Sequence, residues 1–224
     1  MLTISRFSTK KNEDYWRNRK IDWVSHYFSP DHPHRDFLIK ILKTSPPKSV
    51  LEIGMGCGAN LWRIKKEFPN ARVCGCDINP DAIKTADEVF RKEYPTKHFE
   101  RPAIDSIADI DFRVGDITAI PFHGEFFDMV ITDACLIYIG PDKMDRAIRE
   151  IRRVGYYNFL FVEFHSDKWW KRLALKLASR YYAYDYFKLL SDNYFKGIKL
   201  TKVPKEHFGG EPWNTYGYFI TSGR

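Results

Sequence analysis
The side chains with the most chemistry to offer in this 224-residue chain stand at the ends of short apolar runs. Val50-Leu51-Glu52-Ile53 leads into Gly54-Met55-Gly56-Cys57-Gly58, and a helical pattern through Leu61, Ile64 and Phe68 follows. A glycine turn between a buried strand and a helix lets a ligand come close to the backbone, beneath the free N–H groups and partial positive charge of the helix start. Glu52 precedes the first glycine by two residues, Asp77 ends the next strand-like run, Gly115-Asp116 closes a third and Asp133 a fourth. Asp77 lies 19 residues after Gly58, where a carboxylate can accept both hydrogen bonds of a ribose diol. Gly54-x-Gly56-x-x-Ala59 also satisfies a relaxed nicotinamide-dinucleotide fingerprint, so the turn alone leaves that ligand open. Acids repeated at strand ends favour a nucleoside over a pyrophosphate.

Elements of alternating type must position these groups. Lys48 to Ile53, Ala71 to Cys76, Asp111 to Val114, Phe126 to Thr132 and Tyr156 to Glu163 are expected to be strands. Helices are expected over 59–67, from Asn79-Pro80 through Phe90, and from Pro141 through Ile151. Residues 94–109, with Pro95 and Pro102, read as an irregular excursion. Ahead of the first strand, residues 1–12 read as a loose arm, 15–28 as one amphipathic helix with an aromatic face, and Phe37 to Leu42 as part of a second helix. Trp16 and Trp23 are expected in the core. His34 and Arg35 are candidates to face a cleft. After the fifth strand, Trp170, Leu173, Ala174, Leu177 and Ala178 form a helical apolar face expected to pack on the sheet, opposite Lys168, Lys171, Arg172 and Lys176. Gly197 to Val203 and Thr215 to Thr221 read as two further strands joined by a long turn.

Composition bounds the answer without choosing it. At 44% hydrophobic content the chain can bury one sizeable core, and its net charge of +7 suits either an anionic partner or ordinary solubility. Four cysteines at unpaired spacing read as reduced, and no metal site is expected. The absence of an apolar signal core or a membrane-length apolar run leads us to expect a cytoplasmic protein without a membrane span.

The order Glu52, Gly54/Gly56/Gly58, Asp77, Asp116, Asp133 resembles the class I S-adenosylmethionine (SAM)-dependent methyltransferase family over roughly residues 48 to 163. The resemblance implies a Rossmann-like α/β fold: a seven-stranded, mostly parallel sheet of order 3-2-1-4-5-7-6, with a terminal antiparallel hairpin, sandwiched between helices. It implies a lead-in of residues 1–46, a methyltransferase domain over 47–224 and a substrate cap within 166–195. It implies cofactor contacts at Glu52, Gly54, Met55, Gly56, Gly58, Asn60, Asp77, Ile78, Asp116, Ile117 and Asp133, with SAM as cofactor and S-adenosylhomocysteine as product. Asp133-Ala134-Cys135-Leu136 lacks the Asn/Asp-Pro-Pro-aromatic signature of base-methylating relatives, so a small-molecule acceptor, methylated at O or N, is expected ahead of a nucleic acid. His165, at a strand end on the ligand edge of the sheet, is the expected general base, with Asp133 and Tyr138 behind it. An RNA methyltransferase, a non-catalytic protein that binds SAM or its product, and a nicotinamide dehydrogenase stand as alternatives.

Overall fold
A computed structural model describes residues 9–100 and 107–224. Its centre is one sheet of seven strands: β1 (Ser49–Ile53), β2 (Arg72–Asp77), β3 (Ile110–Val114), β4 (Phe127–Asp133), β5 (Gly155–Phe164), β6 (Lys196–Lys202) and β7 (Gly217–Gly223). The order is β3-β2-β1-β4-β5-β7-β6, with β7 antiparallel to both β5 and β6 and the remaining pairs parallel. Alternation along the strands divides their side chains between two apolar layers. Leu51, Ile53, Cys74, Cys76 and Val130 meet α6 (Pro141–Val154) and α8 (Tyr186–Asp192) on one face. Val50, Val73, Met129 and Ile131 meet α3 (Pro33–Leu42), α4 (Ala59–Glu67) and α5 (Pro80–Arg91) on the other. Parallel strands covered on both faces bring their carboxyl ends to one edge, where the acids of the motifs gather.

The lead-in departs from expectation. Residues 15–28 are two helices, α1 (Thr9–Arg17) and α2 (Trp23–Tyr27), because Asp22 caps the second: its Oδ1 accepts the Ser25 N–H at 3.1 Å. Residues 9–12, expected as loose arm, belong to α1, with Thr9 and Asn12 buried; residues 1–8 of that arm lie outside the described residues. Asn12 Nδ2 donates to the carbonyls of Tyr138 and Arg180, and Thr9 Oγ1 accepts the Gly140 N–H at 2.9 Å. The excursion at 94–109 contains a short three-ten turn, Thr96–Phe99, and its residues 101–106 also lie outside the described set.

The basic helix α7 (Trp169–Ala178) is present but turned outward. Of its residues only Leu175 is buried, so the face expected to pack on the sheet is the exposed one. In the aromatic stretch 181–194, before β6, Tyr186 is fully enclosed, whereas Phe187 and Tyr194 are exposed.

Asn79 shows how the lead-in is fastened. Its Oδ1 caps α5 by accepting the Asp81 and Ala82 N–H groups at 2.8 and 3.1 Å, while its Nδ2 donates to the carbonyls of Trp16 and Arg19 at 2.7 and 2.9 Å. Asn79→Ala is expected to lower unfolding free energy by about 2–3 kcal/mol, since a helix cap and two buried carbonyl partners go together. Urea unfolding checks this, and a loss no larger than that of an exposed Asn→Ala change would refute the shared role.

Candidate active site
The glycine turn forms the floor of a cavity of about 490 Å³ at the carboxyl edge of the sheet. Gly54 and Gly56 have φ of +74° and +53°. A Cβ on Gly54 would lie 2.4 Å from Cys135 Sγ, whereas one on Gly56 would meet no heavy atom nearer than 4.0 Å. The first glycine is therefore needed for close packing and the second leaves open a space that a ligand could fill. Asp77 ties the turn to β2: its Oδ2 accepts the Gly56 N–H at 2.9 Å and its Oδ1 the Asn79 N–H at 2.8 Å. Burial nevertheless raises its carboxyl above the ordinary range.

Four polar residues make a connected row on this floor. Asn60 Nδ2 donates to Glu52 Oε1 at 2.7 Å and to Asp133 Oδ2 at 2.9 Å, and the same Asp133 oxygen meets His34 Nε2 at 3.1 Å. Burial, reinforced by the Asp133 charge, pushes Glu52 up to about 8. Burial acts on Asp133 in the same direction, but the hydrogen bond and charge of His34, the Asn60 amide and the Arg35 charge outweigh it and hold that carboxyl below the ordinary range. At neutral pH the proton sits on Glu52 and the negative charge on Asp133. Glu52 Oε2 and Asn60 Oδ1 are buried with no partner in the protein, although both residues line the cavity. Two orphaned polar atoms on residues that line a cavity fit a polar ligand group nearby.

Of the other expected cofactor residues, Met55, Ile78, Asp116 and Ile117 also line the cavity. Asp116 Oδ1 accepts from the Thr118 N–H and hydroxyl at 2.9 and 2.7 Å. Burial works to raise this carboxyl, and the Thr118 hydrogen bonds overcome it and lower it. Gly58, by contrast, does not line the cavity but lies behind the turn, where an added Cβ would meet Met55 and Phe90.

The expected base also lies away from the cavity. His165 does not line the cavity; its Nδ1 accepts the Tyr186 N–H at 3.1 Å and its ring packs on Tyr218. A strand end near the ligand edge is not enough when the ring turns away from it. Tyr138 does line the cavity, yet burial drives its phenol well above the ordinary range, and it stands as wall between Trp16 and Tyr181. The titratable side chain facing Asp133 is His34, whose Nδ1 lies 2.8 Å from Nδ1 of the more exposed His32. Burial and the neighbouring His34 and Arg35 lower the His32 value.

The roof was hardest to foresee. Trp16, Trp23 and Tyr27 come from the lead-in and Phe208 and Trp213 from the turn between β6 and β7, while no residue of 166–195 contributes. Aromatic residues beside Gly209-Gly210 and Pro212 were the visible signal for the turn. Glu163 was also missed as an organiser: fully buried, it accepts the N–H groups of Cys135, Leu136 and Ile137 at 3.0, 3.0 and 3.1 Å, fixing the turn after Asp133. Burial lifts Glu163 to about 8 against the pull of those N–H groups. Among the described residues, no group of three or more His, Cys, Asp or Glu could hold a metal ion.

The chain matches, over residues 50–155, a family model described as a methyltransferase domain. The release factor glutamine methyltransferase of Koribacter versatilis is 27% identical over 125 residues, which cover 54% of this chain and 39% of that protein. The norajmaline N-methyltransferase of Rauvolfia serpentina is 27% identical over 109 residues, 49% of this chain and 32% of that protein. The chain thus spans less than half the length of these relatives. A crystal structure of magnesium protoporphyrin IX methyltransferase from Synechocystis PCC 6803 with bound SAH aligns with a TM-score of 0.64 at 16% identity, covering 95% of this chain and 97% of that one. That last likeness is one of fold.

Glu52 and Glu163 both have folded-state values of about 8 against an ordinary 4.5. Their neutral forms favour the fold, so their contribution to stability is complete below about 4.5 and is lost as pH rises through about 8. Glu52→Gln is expected to flatten the decline between those limits by removing one of the two protons involved. A pH series of urea unfolding curves reads this directly, and an unchanged slope in the variant would show that Glu52 is ionised in the fold at neutral pH.

Proposed function
We propose that this chain, whose residues 50–155 match a family model described as a methyltransferase domain, transfers a methyl group from SAM to an oxygen or nitrogen of a small-molecule acceptor. The observation that carries this reading is the continuity of one cavity, from the glycine turn and its acids to the His34–Asp133 pair and an aromatic roof. In this reading Gly54, Met55 and Gly56 admit the methionine end of the cofactor, and the orphaned atoms of Glu52 and Asn60, with Asp133, take its polar groups. Asp77 and Ile78 hold the ribose, and Asp116 and Ile117 the adenine. Gly58 contributes through the shape of the turn.

Bound SAM supplies an electrophilic methyl carbon, whose transfer is intrinsically favourable. The chain has to hold an acceptor in line and keep water away. Trp16, Tyr27, Tyr138, Phe208 and Trp213 supply apolar walls for that purpose. His34 deals with the acceptor's proton: with Nε2–H directed at Asp133, its basic atom is Nδ1. That Nδ1 faces His32 here, at a position an acceptor hydroxyl or amine can take, and His32 offers the way out to solvent. The lead-in helices α1 and α2 act as a lid.

Calorimetric titration with SAM, S-adenosylhomocysteine and NAD is expected to show binding of the two sulfur nucleosides alone, with Asp77→Ala reducing it at least about tenfold through loss of a charged hydrogen-bond acceptor. Binding of NAD alone would overturn the cofactor. Methyl-labelled SAM offered with small-molecule pools and with RNA is expected to label the former. With the acceptor that this identifies, His34→Gln is expected to lower kcat by about 10²–10⁴ while leaving SAM affinity intact. An unchanged kcat would remove His34 from the mechanism.

A further inference from the structure
We propose that α7 is an interfacial anchor that lays its outer face on an anionic lipid surface. Trp169, Trp170, Leu173 and Leu177 are 67%, 54%, 48% and 79% exposed, and Ala174 and Ala178 are exposed beside them. Spacings of one, four, five, eight and nine residues put these six side chains on one side of the helix. The opposite side is tied down: Leu175 is buried with Ile137, Phe164 and Ala183, Arg172 NH1 donates to the Ser166 carbonyl at 2.8 Å, and the Lys171 carbonyl accepts the Tyr216 hydroxyl. The helix is therefore fixed to the domain with its largest apolar side chains facing out. That reverses the usual arrangement of an amphipathic helix on a soluble core.

Charge selects the occupant. From Lys168 to Tyr184 the chain holds five basic residues, Lys168, Lys171, Arg172, Lys176 and Arg180, and no acidic one; Arg172 belongs to the tied-down side, and Lys168 also pairs with Asp167, just ahead of the helix, at 3.1 Å. A Trp-rich apolar stripe edged by basic residues matches the boundary between lipid headgroups and acyl chains, where indole rings settle and anionic headgroups attract Lys and Arg. A second copy docked face to face would set this cationic rim against itself. RNA would use the basic rim and the indoles but would leave the Leu173–Leu177 stripe without a partner. Among the described residues no helix is long and apolar enough to cross a membrane, so attachment through α7 is peripheral.

Flotation of the full chain with vesicles of phosphatidylcholine alone, and with about 30% phosphatidylglycerol added, tests the proposal. The chain is expected to float with the anionic vesicles only, less so as salt rises. Lys168→Ala/Lys171→Ala is expected to weaken that partition about thirtyfold, and Trp169→Ser/Trp170→Ser/Leu177→Ser to abolish it. Thermal unfolding at the wild-type midpoint shows that a variant is folded; should the triple variant not fold, the lysine pair decides, since both of its side chains reach solvent. Failure of the wild-type chain to float with anionic vesicles overturns the proposal. It is equally overturned if the chain instead self-associates in sedimentation, or shifts RNA, through these same residues without binding vesicles. None of these outcomes depends on whether SAM binds.

Discussion

Two buried carboxylic acids on adjacent parallel strands impose the constraint from which the floor of the site follows. Glu52 on β1 and Asp133 at the end of β4 approach the same Asn60 amide, and like charges so placed in a low-dielectric setting cannot both ionise cheaply. The structure divides the labour: Asp133, touched by His34 and Asn60 and near Arg35, keeps the charge, and Glu52 keeps the proton. Asn60 spends both of its amide hydrogens on this arrangement, and its Oδ1 is left without a partner in the protein. The first turn of α4 is thereby bound to two strands at once, which fixes the helix start over the glycine turn.

Glu163, a further buried acid, steadies the other half of the floor. The chain leaves β4 through Ala134, at φ +54°, a conformation that a residue with a Cβ adopts only when its surroundings hold it there. Glu163 supplies that hold by gathering the three N–H groups that follow. The turn so fixed carries Cys135 against Gly54, close enough that no side chain fits between them. Glycine at 54 and glutamate at 163 are thus two ends of one requirement, although 109 positions separate them in the sequence.

The sheet and its floor were legible in the sequence because both rest on local rules. Strand runs, the glycine spacing and acids at strand ends are short-range patterns, and the seven-stranded order 3-2-1-4-5-7-6 appears as expected. What escaped depended on long-range packing. An apolar stripe on α7 has the same periodicity whether it faces in or out, so sequence alone could not say that Leu175 would turn inward and Trp169 outward. His165 and His34 each looked like a histidine near the ligand edge; only the third dimension puts one against Tyr186 and the other against Asp133. The split between α1 and α2 was readable in principle from Asp22-x-x-Ser25, a capping pattern masked by the aromatic periodicity on either side.

Floor and roof of the cavity have different origins along the chain. Apart from His34, which joins the floor from the lead-in, the residues from Glu52 to Cys135 that line its lower part fall within the matched segment 50–155, whereas Trp16, Trp23, Tyr27, Phe208 and Trp213 of the roof all come from outside it. The roof is assembled from segments on either side of that stretch, brought together over it. Such a layout makes the molecule modular: substitutions can reshape the upper chamber while the glycine turn and its acids stay in place. Exchange of the lead-in and the β6–β7 turn between proteins of this fold would then transplant one half of the chamber without rewriting the other.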